Sequence, residues 1–193
     1  MTRGSDVAFT ELRTPRLVIR PLTLADAETF AAYRSDRAVA RYQAWDAPYD
    51  VDQAIAFIVG LADPFTPGEW SQLAMTADGV HIGDVALFID TDPRLGRIGF
   101  TLARHAQGHG YATEAVRAVL DQAFSRGVHR IAADCDTRNA GSIGLLERVG
   151  MRREGHLRRS AWWKGEWTDE YLYAVLADEW STRRSAQSPE PGL

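Results

Sequence analysis

In the stretch Gly99-Phe-Thr-Leu-Ala-Arg-His-Ala-Gln-Gly108-His-Gly110-Tyr-Ala-Thr-Glu114, a β-rich run feeds a loop with two glycines. The loop feeds an apolar stripe at helical spacing, Ala115, Val116, Val119, Leu120, Ala123 and Phe124, which stops before Gly127. Backbone N–H groups at a helix start have no intrahelical partner, and with the helix dipole they make an anion site. Gly108 and Gly110 admit backbone conformations closed to larger residues and let a phosphate come close. The segment therefore points to a ligand bearing a pyrophosphate. A dinucleotide fingerprint needs Gly or Ala where Thr113 stands, and the strands before it read as a hairpin meander, although Asp134 does lie about 20 residues on. No Gly-Lys-Ser/Thr follows, which excludes a Walker A loop.

Upstream, residues 16–21 form a short β-rich run stopped by Pro21. Thr23-Leu-Ala-Asp26 reads as a capping box with Asp in place of Glu, leading into Ala27, Phe30 and Ala31. Asp50-Val-Asp-Gln53 is a second helix start, before Ile55, Ile58 and Leu61. The period then changes: residues 71–75, 81–89 and 97–103 read as strands separated by turn residues. Downstream come a strand at 130–135, a helix at 142–149 stopped by Gly150, and strands at 151–163 and 168–176 around Lys164-Gly165-Glu166. The order β-α-α-β-β-β-α-β-α-β-β describes an α+β (mixed α/β) domain over residues 11–182. Residues 1–10 and 183–193 have the composition of flexible ends.

Composition excludes several functions. The 193 residues carry 26 Asp+Glu against 22 Lys+Arg, a net charge of −4. The basic residues are scattered and all but Lys164 are arginine, so nucleic acid is not the expected partner. A 45% hydrophobic content supplies a core and rules out disorder as the main state. Cys135, the single cysteine, excludes an intramolecular disulfide and a cysteine-based zinc site. No run approaches the ~18 apolar residues of a membrane span, and residues 1–10 lack a signal-peptide core, so the expected compartment is the cytoplasm. His105 and His109 have no carboxylate motif or further ligand cluster near them, so no metal is expected.

Gln107-Gly-His-Gly110-Tyr-Ala112 fits, in every defined position, the Gln/Arg-x-x-Gly-x-Gly/Ala acyl-CoA loop of the GNAT acyltransferase superfamily. Thr113-Glu-Ala115, Asn139-Ala-Gly-Ser142 and Leu145-Leu-Glu-Arg-Val-Gly150-Met follow in that family's order and spacing. The opening Leu12-Arg-Thr-Pro-Arg-Leu-Val-Ile-Arg-Pro21 is similar to the Rim-type branch of ribosomal-protein N-terminal acetyltransferases, so the resemblance spans about residues 11–180. It implies a mostly antiparallel central sheet flanked by helices and splayed between residues 97–103 and 130–135. Acetyl-CoA, the implied acyl donor, would lie in the splay with its pantetheine along Phe100, Thr101 and Leu102. Its pyrophosphate would rest on Gln107, Gly108, His109, Gly110, Tyr111 and Ala112, with Thr113 beside them. Asn139 would reach the pantetheine arm, and Ser142 would lie near the thiol end. The implied reaction moves an acetyl group directly to a primary amine, with no acyl-enzyme and no metal. The acceptor is either a protein N-terminal α-amine or a small-molecule amine such as an antibiotic. The alternative is a GNAT-like module that holds acyl-CoA without turnover, as a sensor or assembly partner.

An alkyl ammonium has a pKa near ~10, so the chemistry needs a proton acceptor, and the departing thiolate needs a donor or a positive dipole. Many relatives carry a tyrosine acid where Leu146 stands here, which leaves Ser142 as the thiolate partner. Rim-like sequences often have an acidic residue where Arg97 stands, so the base is not assigned by matching. Asp134, Asp84, Glu154 and Asp169 are the candidates, Asp134 foremost. Cys135, with no evident base beside it, reads as a small core residue. Trp45, Tyr49, Asp84 and Trp162 are the acceptor-side candidates, and Asp46 with Asp50 and Asp52 could draw in a cationic amine. Trp162, Trp163 and Trp167 read either as cross-strand pairing in a hairpin or as an acceptor wall or homodimer contact.

Overall fold

A computed structural model describes residues 9–187. Strands β1 (Leu12–Arg13) and β2 (Val18–Pro21) lead through a 3₁₀ turn (Leu24–Asp26) into helices α1 (Ala27–Arg34), α2 (Arg37–Ala40) and α3 (Val51–Val59). The meander β3 (Trp70–Ala77), β4 (Val80–Ile89) and β5 (Leu95–Leu102) follows. Then come α4 (Tyr111–Ser125), β6 (Arg130–Asp136), α5 (Ala140–Val149), β7 (Arg152–Trp163), β8 (Glu166–Leu176) and α6 (Ala177–Gln187).

Both predicted helix starts are built as their chemistry requires. The Asp26 carboxylate accepts from the Thr23 N–H and hydroxyl at 2.8 and 2.9 Å, and Arg20 grips it with two N–H groups. Asp50 and Gln53 cap each other reciprocally at 2.7 and 2.9 Å. Two helices went unread in the sequence. At four residues, α2 is too short for a periodic stripe and forms on the Asp36 carboxylate, which accepts from the Ala38 N–H at 2.8 Å. The other, α6, starts directly after β8 without turn residues and runs to Gln187, past the boundary expected at 182. Its Trp180 packs on Phe124 of α4 and donates Nε1–H to Asp121 at 2.7 Å. Of the flexible ends expected at residues 1–10 and 183–193, residues 1–8 and 188–193 lie outside the described residues. No helix among the described residues is long and apolar enough to cross a membrane.

One eight-stranded sheet in the order β1-β2-β3-β4-β5-β6-β8-β7 forms the centre, with every neighbour antiparallel except β5 and β6. Helix α4 lays Val116, Val119, Leu120 and Ala123 on one face, against Val85, Leu87 and Ile131. Each buried valine or leucine among them stabilises by roughly 1.5–3 kcal/mol. The other face carries a second core, in which Phe30, Ala54 and Ile58 pack over Ala74 and Ala103.

The parallel pair positions the site. β5 and β6 pair only at Leu95↔Arg130, Gly96↔Ile131 and Arg97↔Ala132, after which they part. Each stays bound on its outer edge, β5 to β4 as far as Leu102 and β6 to β8 as far as Asp136. The result is two intact half-sheets with a wedge between them, at the place where the splay is expected. The Arg94 carbonyl accepts from the β6 side, from the His129 and Arg130 N–H groups, so by strand alternation the even residues of β5 face the wedge. The Phe100 and Leu102 carbonyls accordingly accept from side chains, those of Gln43 (3.5 Å) and Gln107 (3.0 Å). Their N–H groups point into the wedge, where the sheet offers no partner.

Candidate active site

On the α4–α5 side the wedge opens into a cavity of about 1190 Å³. Phe100, Thr101, Leu102, Gln107, Gly108, Gly110, Tyr111, Ala112 and Thr113 line it, and Asn139 and Ser142 close its far side. The expected donor-site residues thus surround one space, with the exception of His109. That residue's carbonyl accepts from Arg16 Nη1 at 2.9 Å, and its ring stacks along Tyr111. Gly108 and Gly110 have φ of +82° and +81°, and Gly110 is the N-cap of α4, so the loop turns its amides toward the helix start through conformations that disfavour other residues. The Asn139 side-chain oxygen caps α5 by accepting from the Ser142 N–H at 3.1 Å, which leaves its NH₂ for another partner.

A carboxylate, Glu114, stands in the first turn of α4, where it would repel an anion. Thr14 Oγ1 donates to it at 2.6 Å, the Arg16 N–H at 3.0 Å and Arg16 Nε at 2.7 Å. Burial pushes the Glu114 carboxyl up, but the Thr14 hydroxyl and Arg16 outweigh it and hold the group below its usual range. Residues 14–16 are thereby pinned to the glycine loop, and the negative charge is covered.

A second cavity of about 920 Å³ lies on the other face, between α1–α3 and the tip of the β7–β8 hairpin. Trp45, Tyr49 and Asp84 line it as expected, and Trp162 does not. Trp162 is 58% exposed and meets Trp167 edge-on at 5.3 Å, so it stabilises the hairpin, while its neighbours Trp163 and Lys164 reach the cavity. The expected cation-attracting loop is also corrected. Lys164 pairs with Asp46 at 3.2 Å and donates to the Trp45 carbonyl at 2.6 Å, and Asp50 is engaged in capping α3. Tyr42, Gln43, Phe100 and Thr101 line both cavities and mark where they join. Tyr42 and Gln43 open the loop at 42–50 that the resemblance implies covers the acceptor, although neither was among the residues expected to line the site.

The four carboxylates considered as bases separate clearly. Glu154 is paired with Arg130 at 2.6 Å, Asp169 is held by the Arg159 N–H and His156, and neither lines either of these two cavities. Asp134 lines the second cavity but is bound by the guanidinium of Arg97, which bridges β5 to β6. That ion pair occupies the Asp134 oxygen nearest Arg97. Asp84 also lines that cavity and is fully buried, with the Tyr33 hydroxyl and the Gln72 amide donating to its two oxygens. Burial raises the Asp84 pKa, against the opposing effects of Arg34, Tyr33 and Gln72. No Asp84 ion pair exists among the described residues. Arg34 is held between the rings of Phe30 and Trp45, each 3.9 Å from the guanidinium carbon. Cys135 reaches the same cavity, but burial and its neighbours Asp134 and Asp136 push the thiol up to about 12, so it stays protonated and unreactive at neutral pH.

A family model described as acetyltransferase (GNAT) domain matches residues 16–152. The chain is 30% identical over 171 residues to an uncharacterized N-acetyltransferase, YnaD, of Bacillus subtilis (strain 168), covering 88% of this chain and 99% of that protein. It is 33% identical over 175 residues to an uncharacterized N-acetyltransferase, p20, of Bacillus licheniformis, covering 88% and 98%. Among solved structures, Mycobacterium smegmatis RimJ in complex with CoA-disulfide superposes with a TM-score of 0.80 at 26% identity, over 96% of this chain and 97% of that one.

Proposed function

From the premise that the chain belongs to the GNAT acetyltransferase family, we propose that it moves acetyl from acetyl-CoA directly to a primary amine where the two cavities join. One observation carries this reading: the unpaired edge of β5 at Phe100 and Thr101 is wall to both cavities, so a thioester lying along it from one side is open to an amine from the other. The binding of CoA by RimJ supports assigning acetyl-CoA to the glycine-loop cavity. The acceptor is a protein N-terminal α-amine or the amine of a small molecule.

In the proposed sequence the ammonium loses a proton to Asp84, and the free amine attacks the thioester carbon. The tetrahedral oxyanion is held by the Phe100 N–H that faces the wedge. As the C–S bond breaks, the CoA thiolate is met by the N-terminal dipole of α5 and takes a proton through the Ser142 hydroxyl, which regains one as the acylated nitrogen sheds its extra proton to become the neutral amide. Asp84 replaces Asp134 as the proposed base because its burial favours proton uptake and no guanidinium grips it. Leu146, where relatives carry an acid, is packed into the core beneath α5, so nothing at that position acts on the reaction.

Free-thiol release from acetyl-CoA with a panel of N-terminal peptides, aminoglycosides and polyamines tests the reading. Turnover on one class supports it, and none on any class, with CoA still binding, overturns it. Ser142→Ala is expected to lower kcat about tenfold with CoA affinity retained in calorimetry. An unchanged kcat would free Ser142 of its role. Arg16→Ala uncovers Glu114 beside the pyrophosphate and is expected to raise the acetyl-CoA KM about tenfold. Adding Glu114→Ala should recover part of that loss, and a double variant worse than the single would dismiss the shielding role.

A further inference from the structure

Most charges around the acceptor-side cavity are spent on one another. Arg97 binds Asp134, Arg138 binds Asp136 at 2.7 Å and Glu166 at 2.8 Å, and Lys164 binds Asp46. Two lining carboxylates have no ion pair among the described residues: Glu170, which accepts from the neutral Ser160 hydroxyl at 2.8 Å, and the buried Asp84. Of the remaining lining guanidiniums, Arg34 at the end of α1 meets the buried Asp84 carboxylate through space, and Arg37 at the start of α2 and Arg41 just beyond it are left over.

Arg37 and Arg41 lie one helical turn apart and are exposed, and neither has an ion pair among the described residues. The field of Arg41 reaches Asp136, but Arg138 already holds that carboxylate through two of its N–H groups. Arg34 is 5% exposed, and its Nε is buried with no hydrogen-bond partner. The aromatic rings around it fix its direction, and the buried Asp84 carboxylate answers its charge through space. Arg37 and Arg41 repel each other on one wall with no carboxylate paired to either, and the orphaned buried Arg34 N–H is costly, so that wall is suited to an anion. Helix α2 also borders the glycine-loop cavity through Ala38 and Val39, yet Arg37 and Arg41 line only the other cavity. An anion held there would therefore belong to the acceptor and not to the phosphates of CoA.

We propose that the acceptor is an amine carrying an anionic group, a carboxylate or phosphate, which Arg37 and Arg41 bind with Arg34 behind them. This rests on the proposed acetyl transfer and narrows its acceptor class. The amine end then lies toward Asp84 and Phe100 and the acid end toward α2. A cavity of about 920 Å³ admits a small molecule of this kind.

Matched acceptors test it: phosphoethanolamine against ethanolamine, an α-amino acid against its amide, and a short peptide with Asp at its second position against the Asn form. The anionic member of at least one pair is expected to have kcat/KM about tenfold higher at low salt, with the preference shrinking as salt is raised. Which pair responds separates phosphate from carboxylate. The double variant Arg37→Gln/Arg41→Gln should raise KM for that anionic member about tenfold and leave KM for its neutral partner and for acetyl-CoA unchanged. Equal rates within every pair, or a variant that weakens neutral and anionic members alike, would overturn the anion site while leaving acetyl transfer standing. No transfer to any amine, with CoA still bound, would overturn the transfer and the anion site together.

Discussion

Gly110→Val is expected to weaken acetyl-CoA binding at least about a hundredfold, a loss of about 2.7 kcal/mol. Gly110 caps α4 at φ +81°, where a β-branched residue is strained by more than the roughly 1–2 kcal/mol of an ordinary L residue. A Cβ there would sit 3.5 Å from Arg16 Nη2, on an arm clamped to Glu114, so valine's two methyl groups have no retreat on that side. Either the strain is kept, and the methyl groups cover the amides meant for phosphate, or the loop relaxes and turns those amides away. Both routes lose the ligand. Calorimetry with CoA measures the loss, and the melting temperature of the unliganded protein tells the routes apart, since retained strain lowers it. Gly110→Asn tolerates the left-handed conformation and so tests space alone, with a smaller expected loss. Unchanged CoA affinity in the valine variant would remove the loop from the donor site.

The loop was legible in the sequence because its chemistry is local: glycine at two positions, glutamine ahead of them and a helix start behind are all read within eight residues. The strand and helix order was legible for a similar reason, since period and punctuation are properties of short windows. The acceptor side is assembled at long range. Tyr33 reaches Asp84 from 51 positions away, and Arg97 reaches Asp134 from 37. Such partners leave no periodic trace. Trp162 was misplaced because the β7–β8 register shifts between Leu157 and Ala161, and once an irregularity intervenes, counting alternate residues along β7 no longer tells the two faces apart. Asp46 was misread because its neutralising partner Lys164 comes from the far hairpin.

Asp84→Asn is expected to lower kcat by about 10²- to 10⁴-fold, the range of general-base catalysis, while the folded protein becomes no less stable at neutral pH. Asparagine keeps the shape of the group. Its side-chain oxygen can still accept from the Tyr33 hydroxyl, and Gln72 can turn its own oxygen toward the new NH₂. The alanine variant would strand both partners in the core and confuse folding with catalysis. The stability half of the prediction follows from the direction of the shift. Burial raises the Asp84 pKa above its unfolded value, so between the two values the folded state holds the proton more tightly than the unfolded chain. Stability then falls as pH rises through that window, a dependence that asparagine removes. Activity runs the other way: the base works only when ionised, so the wild-type rate should fall as pH drops through the raised pKa, and the residual rate of the variant should lose that limb. Asp134→Asn breaks only the Arg97 pair and should keep the limb. A fall in rate with a matching fall in melting temperature would make Asp84 a structural carboxylate. A pH limb lost in Asp134→Asn and kept in Asp84→Asn would return the base to β6.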